Sequence, residues 1–411
     1  MARATTLTNA GETHMNMRYI IGTFCLLAAQ TALGHGPANP ESGVETDRMI
    51  QFPDTAGMKT IVLDPHTHSV FSDGHVWPNI RIGEALRDGL DAIAITEHLE
   101  YQPHLRDIPH PDRNRSFEEA SAAAKDTGLV VIAGSEITRD APAGHMNALF
   151  IQDANKLLQV QVPDGPVDVR KYYATANAWP AQNAVAAANA QGAFVFWNHA
   201  WWTRDFPNGI VKIPNFHKKN ARAHLLHGIE IANGDSYSEE AFQIALDYNL
   251  TLLGVSDIHN LIDWDYQPEQ GGHRPVTLVL AEDKSEDAIK RALFDRRTVV
   301  WFKNMLIGRE EHLDPLLQAC LTIKSASYPE GQQILRVTLD NNSDATFRLR
   351  NLSRYTFYGD TDYVEVPAHG SVPLEVKTPA KVAGIALDFE VLNALTAPKK
   401  NAKISLSSQV L

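Results

Sequence analysis

The strongest constraint on this chain is a recurring junction: between residues 59 and 302, short apolar runs of β character keep ending in a histidine or a carboxylate. Runs at 60–63, 92–96, 129–133, 146–151, 193–197, 228–232 and 251–255 alternate with helical stretches at 80–88, 117–127, 180–191 and 239–248. Further apolar runs follow at 277–280 and 298–302. Helical stretches between strands point to parallel pairing, because a parallel partner can be reached only through a long crossover. Loops leaving the C-terminal ends of such strands gather on one face of a barrel, so residues remote in sequence meet there. The expectation is an α/β barrel with a polar site at one end.

The junction residues are of metal-ligating types. Asp64-Pro65-His66-Thr67-His68 closes the first run, and His-x-His on extended backbone places both imidazoles on one side, toward a common ion. Ser72-Asp73-Gly74 adds a carboxylate in a tight turn, Thr96-Glu97-His98 ends the second run, and Gly134-Ser135-Glu136 follows the third. Gly144-His145-Met146-Asn147 opens the fourth, Asn198-His199 closes the fifth, and Ser256-Asp257-Ile258-His259 closes the seventh. Histidines scattered independently through core and surface would not fall in this order beside carboxylates.

In these motifs the chain resembles the polymerase and histidinol phosphatase (PHP) family, over roughly residues 59–302. The resemblance implies a distorted (β/α)7 barrel rather than a closed eight-stranded one. It also implies an ion on His66, His68, Glu136 and Asp257, a second on Glu136, His145 and His199, and a third on Asp73, His98 and His259. The family often carries histidine where this chain has Asp73, so the third position is where the chain departs from the pattern. Two or three divalent ions are expected. Nitrogen and oxygen ligation without thiolate suits manganese, zinc or iron, with manganese placed first.

Adjacent ions bridged by a carboxylate activate water and stabilise in-line displacement at phosphorus. The same chemistry could open an amide or a lactone; the resemblance is what selects phosphate esters. The leading expectation is a phosphodiesterase for small organic phosphate diesters, with hydroxide held by the first two ions as nucleophile. A phosphomonoesterase or nucleotidase is the second reading, and a non-catalytic exported binding protein on the same scaffold the third. The long connections 200–222 and 260–275 are rich in aromatic residues and would form a flap supplying substrate contacts: Trp201, Trp202, Arg204, Trp264 and Arg274. Arg204 and Arg274 are the expected phosphate clamps. His217, His224 or Asp205, or a water on the third ion, would protonate the leaving group.

At 411 residues the chain exceeds what one hydrophobic core fills. Beyond residue 313 the texture changes to short strands broken by turn residues, which predicts an all-β sandwich over 313–411 after a barrel over 59–312. The apolar run 19–33 leads into Ala32-Leu33-Gly34, a cleavage pattern, so residues 1–34 read as a signal peptide with an upstream leader and 35–58 as a linker. Export, in a periplasmic setting, is the expectation. Cys25 would leave with the signal, and Cys320 alone can form no internal disulfide. No apolar run in the body is long enough to span a membrane. The net charge of −12 disfavours long nucleic acid as a partner and leaves a small phosphate ester.

Overall fold

The computed structural model describes residues 48–109, 111–160, 168–359 and 362–411. The apolar run 19–33, its cleavage pattern and most of the linker lie outside the described residues.

The barrel portion runs β1 (Lys59–Asp64), α1 (Pro78–Arg87), β2 (Ala92–Ile95), α2 (Arg115–Ala123), β3 (Val130–Ile137), β4 (Met146–Leu149), α3 (Val169–Asn177), α4 (Ala181–Ala190) and β5 (Phe194–Trp197). It continues with α5 (Asn215–Arg222), β6 (Gly228–Asn233), β7 (Ser236–Tyr237), α6 (Glu239–Asp247), β8 (Thr251–Val255) and α7 (Ile262–Tyr266). Strands such as β2 (AIAI) and β5 (FVFW) are buried at every position, which is why they appear in the sequence as unbroken apolar runs rather than alternations. Local chemistry marks the helix ends. Pro78 occupies the first turn of α1, where its missing N–H is no loss, and the Ser238 hydroxyl caps α6 by accepting from Ala241 N at 3.1 Å. Helix α2 stops four residues short of the expected end because Asp126 and Gly128 both adopt left-handed backbone.

Strands β1, β2 and β3 pair in parallel, as do β5, β6 and β8. Strand β4 is antiparallel to both of its neighbours, which corrects the expectation of a wholly parallel series. Only residues 138–145 separate β3 from β4, too few for a crossover helix, so the chain turns directly back. The reversal has a consequence for the site. It brings the start of β4, and His145 just before it, to the end of the barrel where β3 and β5 finish.

The barrel closes between β1 and β8 at that same end, through a parallel bridge from Thr67 to Ile258. His68 N donates to Ile258 O at 3.1 Å and Asp257 N donates to His66 O at 3.0 Å. Below the bridge, side chains replace the backbone ladder. Strand β9 (Val276–Ala281) pairs antiparallel with the outer edge of β1, and its Thr277 hydroxyl both accepts from Gly254 N (3.0 Å) and donates to Gly254 O (2.9 Å). Gly254 is required there, since a Cβ would overlap Val300.

From β9 the sheet extends through α8 (Glu286–Phe294), β10 (Thr298–Phe302) and β11 (Met305–Gly308), and α9 (Glu310–Cys320) leads onward. The C-terminal region comprises β12 (Leu321–Ser327), β13 (Ile334–Asn341), β14 (Phe347–Asn351), β15 (Thr356–Phe357), β16 (Tyr363–Val366), β17 (Ser371–Lys377), β18 (Gly384–Ala397) and β19 (Lys400–Gln409). One sheet orders β12-β13-β17-β15; the other, built on β16, β14, β18 and β19, joins the barrel sheet because β18 pairs in parallel with β11. Inward residues of both sheets, among them Val337, Leu339, Val376, Leu387 and Phe389, share one core with Leu313, Leu316 and Leu317 of α9 and with Ile93 of the barrel. Each such side chain, fully buried, contributes on the order of 1.5–3 kcal/mol. Helices α3, α5, α7, α8 and α9 add to those expected, and α5 makes the last third of the connection 200–222 helical instead of a pure loop.

Candidate metal centre

Every expected ligand arrives at the same barrel end. His66 and His68 follow β1, His98 follows β2, Glu136 lies near the end of β3, His145 precedes β4, His199 follows β5, and Asp257 and His259 follow β8. Two of them, His199 (φ 24°) and Asp257 (φ 51°), take left-handed backbone that non-glycine residues adopt only when held there.

The donor atoms converge in overlapping groups. His66 Nε2 and His68 Nε2 are 2.9 Å apart, and each lies 3.1 Å from Asp257 Oδ1. The Glu136 carboxylate stands 3.7 Å from both nitrogens. Ligands roughly 2.0–2.2 Å from one tetrahedral ion sit roughly 3–3.6 Å from one another, so this spacing is that of an ion's coordination shell. Glu136 Oε1, which faces His66, is also 3.0 Å from His145 Nδ1 and 3.6 Å from His199 Nε2. Asp73 Oδ1 lies 3.1 Å from His259 Nε2, 3.4 Å from His98 Nε2 and 3.9 Å from His68 Nδ1. His98 Nδ1 also lies 2.5 Å from Glu136 Oε2, so the second and third groups adjoin through His98.

The donor set fits divalent ions. Asp73 Oδ1 and Glu136 Oε2 are buried yet accept no well-directed hydrogen bond, although burying an anionic oxygen without a partner is strongly unfavourable. Outer residues hold the imidazoles in register: Ser72 Oγ lies 3.2 Å from His68 Nδ1, and Thr138 Oγ1 lies 2.6 Å from His98 Nδ1. Glu97, expected only as part of a motif, is instead a buried support, accepting from both Ser69 and Ser72 hydroxyls. Arg81, wholly buried, donates to the carbonyls of His68 and His259 at 2.8 Å each and so ties the first and last ligand segments together.

Electrostatics sort the imidazoles. Burial, reinforced by the neighbouring His259 and His98, pushes His68 down to about 3, which keeps its nitrogens free as ligands. Burial also opposes the charge on His66, but Asp257, Glu230 and Glu136 overcome it and raise the group to about 10. His259 is raised to about 9, burial being outweighed by Asp73 and Asp257. Asp73, Glu136 and Asp257 lie well below the usual carboxylate range in spite of burial, because histidines surround each of them.

A cavity of about 510 Å³ opens over the ligands, walled by Trp201, Trp202, Thr203, Asn233 and Ser236. Trp201 Nε1 donates to Ser236 Oγ at 3.2 Å, and the Trp202 ring stands edge-on to His145 and His199 at 5.2 Å each. Arg204 stacks on Trp202 with its guanidinium 4.0 Å from the ring centre, and its Nη2 lies 3.3 Å from His145 Nε2.

Several expected residues are placed elsewhere. Arg274 is no phosphate clamp: fully buried, it pairs with Asp64 (3.1 Å) and Asp88 (2.5 Å) beneath the barrel seam. His217 is no acid. It lies buried against Trp197 (4.1 Å), with Nε2 on Ala143 O (2.6 Å), and burial holds it down to about 3. Trp264 is 68% exposed and outside the cavity wall, as is His224. Asp205 faces Arg204 at 3.3 Å and does not line the cavity. Asn198 escaped the sequence reading as a functional residue, although its side chain donates to Glu136 Oε1 at 2.7 Å. So did Glu230, whose signal was a lone acid inside the apolar run Gly-Ile-Glu-Ile-Ala.

Comparison with known proteins agrees with this picture. A family model for the PHP domain matches residues 64–191, and one for an Ig-like domain matches residues 321–407. A two-domain protein from Bacteroides vulgatus, containing a predicted PHP-like metal-dependent phosphoesterase, is 37% identical with a TM-score of 0.77, over 88% of this chain and 98% of its own. A metal-dependent phosphoesterase candidate from Bifidobacterium adolescentis (20% identity, 57% of this chain and 96% of that one) has a TM-score of 0.36. An amidohydrolase from Chromobacterium violaceum with bound sulfate and no metal (18% identity, 58% and 97%) has one of 0.35. No curated protein matches the sequence. By its likeness to the Bacteroides protein along nearly the whole of both chains, this chain belongs to the PHP-domain family of metal-dependent phosphoesterases, with an Ig-like all-β domain following the α/β domain.

Proposed function

We propose that this phosphoesterase hydrolyses small organic phosphate diesters, using two or three divalent ions, manganese first among them, held on His66, His68, Asp73, His98, Glu136, His145, His199, Asp257 and His259. The observation that carries the choice of diester is the cavity wall. Two tryptophans and no lysine or arginine line it among the described residues. A monoester dianion calls for several cationic donors, whereas a diester carries one charge and two organic groups that need apolar room.

Divalent ions bound there supply activated water and neutralise charge developing on phosphoryl oxygens. The chain's own residues orient the ester. Trp201 and Trp202 cover one organic group and exclude water from it, while Arg204, outside the cavity wall and stacked on Trp202, braces that ring over the ligands. A periplasmic enzyme that scavenges external esters fits the apolar run 19–33 and its cleavage pattern. With a net charge of −12 the expected partner remains a small molecule rather than a nucleic acid.

The test is turnover of bis(p-nitrophenyl) phosphate against p-nitrophenyl phosphate by manganese-loaded protein. Preference for the diester is expected, and Trp202→Ala should raise its KM several-fold. Faster turnover of the monoester would point to a phosphomonoesterase or nucleotidase. Turnover of neither would point to a binding protein.

A further inference from the structure

Glu230 is a fully buried carboxylate in the middle of β6, between Ile229 and Ile231. An acid in such a setting is stable only when its oxygens are satisfied by fixed donors. Its Oε1 lies 2.7 Å from His66 Nδ1. Its Oε2 accepts from His199 N at 2.5 Å and from Asn233 Nδ2 at 2.9 Å, and the same Asn233 nitrogen reaches Asp257 Oδ2 at 3.1 Å. One carboxylate therefore meets ligands that arrive from β1 and β5 and, through Asn233, is linked to one from β8.

Its two oxygens do different things. With the His66 proton on Nδ1 and donated to Glu230, the Nε2 lone pair is left to face His68 Nε2 and Asp257. The bond from His199 N fixes a left-handed backbone (φ 24°) and thereby aims that imidazole at Glu136. His66 and His199 would serve different ion positions that adjoin at Glu136, whose Oε1 lies 3.7 Å from His66 Nε2 and 3.6 Å from His199 Nε2.

We infer that Glu230 is a positioning residue shared by the first two ion positions, so that the occupancy of one is coupled to the occupancy of the other. When an ion locks His66, the Glu230 carboxylate is locked with it, and the amide of His199 then finds its acceptor already in place. The inference rests on the metal-binding part of the proposed function and not on the substrate.

The experiment is calorimetric titration of manganese into chelated full-length protein, with cobalt absorption spectra as a second readout, for wild type, Glu230→Gln and Asn233→Ala. The amide of Glu230→Gln must turn an N–H toward either the His66 or the His199 donor, so one bond is lost while size is kept. Affinity at both of the first two positions should fall about 10- to 100-fold, and the cobalt bands should shift. Uptake at the Asp73, His98 and His259 group should stay as in wild type. Wild-type affinities and bands in Glu230→Gln, or weakening at one position alone, would overturn the inference. Should Glu230→Gln not fold, as judged by circular dichroism, Asn233→Ala decides: several-fold weaker manganese binding supports the inference and unchanged binding refutes it. No readout involves a substrate, so failure here is distinct from failure of the diester reading.

Discussion

Single side chains at the barrel end divide into those that face the cavity and those that hold the barrel together, and the two classes should respond differently to substitution. Arg274 belongs to the second. Removing it in Arg274→Leu leaves Asp64 buried without its cation and Asp88 with Arg48 alone, which should destabilise the fold by about 3–5 kcal/mol in urea unfolding. A phosphate clamp would instead show its loss in KM with stability unchanged. His227 gives a pH-dependent case away from the metal ligands. Its Nδ1 accepts from Val195 N at 3.0 Å, and burial against Phe194 and Phe294 holds the ring down to about 4. The folded state thus keeps this imidazole neutral where the unfolded chain, near 6.5, takes up a proton. The resulting stability is fully present above pH 6.5 and is lost as pH falls toward 4, by at most about 1.4 kcal/mol per pH unit. The stability gap between wild type and His227→Gln should accordingly narrow between pH 7 and pH 4.5.

Among the elements, the seam between β8 and β9 shows how the barrel is closed without a full ladder. Thr277 supplies from its side chain both the acceptor and the donor that Gly254 would otherwise find in a neighbouring strand. Thr277→Val preserves shape and removes both bonds, leaving a buried N–H and C=O unpaired. A destabilisation of about 1–3 kcal/mol is expected, read from denaturant midpoints at constant m. Element by element, the apolar runs were legible in the sequence because strands buried on both faces cannot hide their composition, and β1, β2, β5, β6 and β8 lie where those runs stand. The direction of β4 was not legible, since an apolar run carries no sign of which way it is traversed. Helices α3, α5 and α8 were missed although α8 carries both helical spacing of its buried residues, Ala288, Ile289, Ala292 and Leu293, and a cap in Ser285, which accepts from Ala288 N at 3.2 Å.

For the molecule as a whole, the Ig-like domain is not an appendage on a flexible tether. Strand β18 completes the barrel sheet through β11, and Leu313, Leu316 and Leu317 of α9 sit in a core shared by both domains. Deleting residues 321–411 would bare the edge of β11 and that leucine face together. The truncated chain should aggregate or elute as large species in size-exclusion chromatography, whereas an independent barrel would remain monodisperse.

What the sequence determined by itself was chemical type and order: which residues could ligate an ion, and that each stands at the end of an apolar run on a βα barrel. Ligand identity is local, because His-x-His or Ser-Asp-Ile-His keeps its donors wherever the chain goes. Only the tertiary structure decided which donors come within an ion's reach of one another, that Arg274 and His217 serve packing rather than substrate, and that Glu230 joins two ligand groups. Those outcomes depend on burial and on distances of about 3 Å between segments as much as 210 residues apart, as Asp64 and Arg274 are, and no local pattern encodes them.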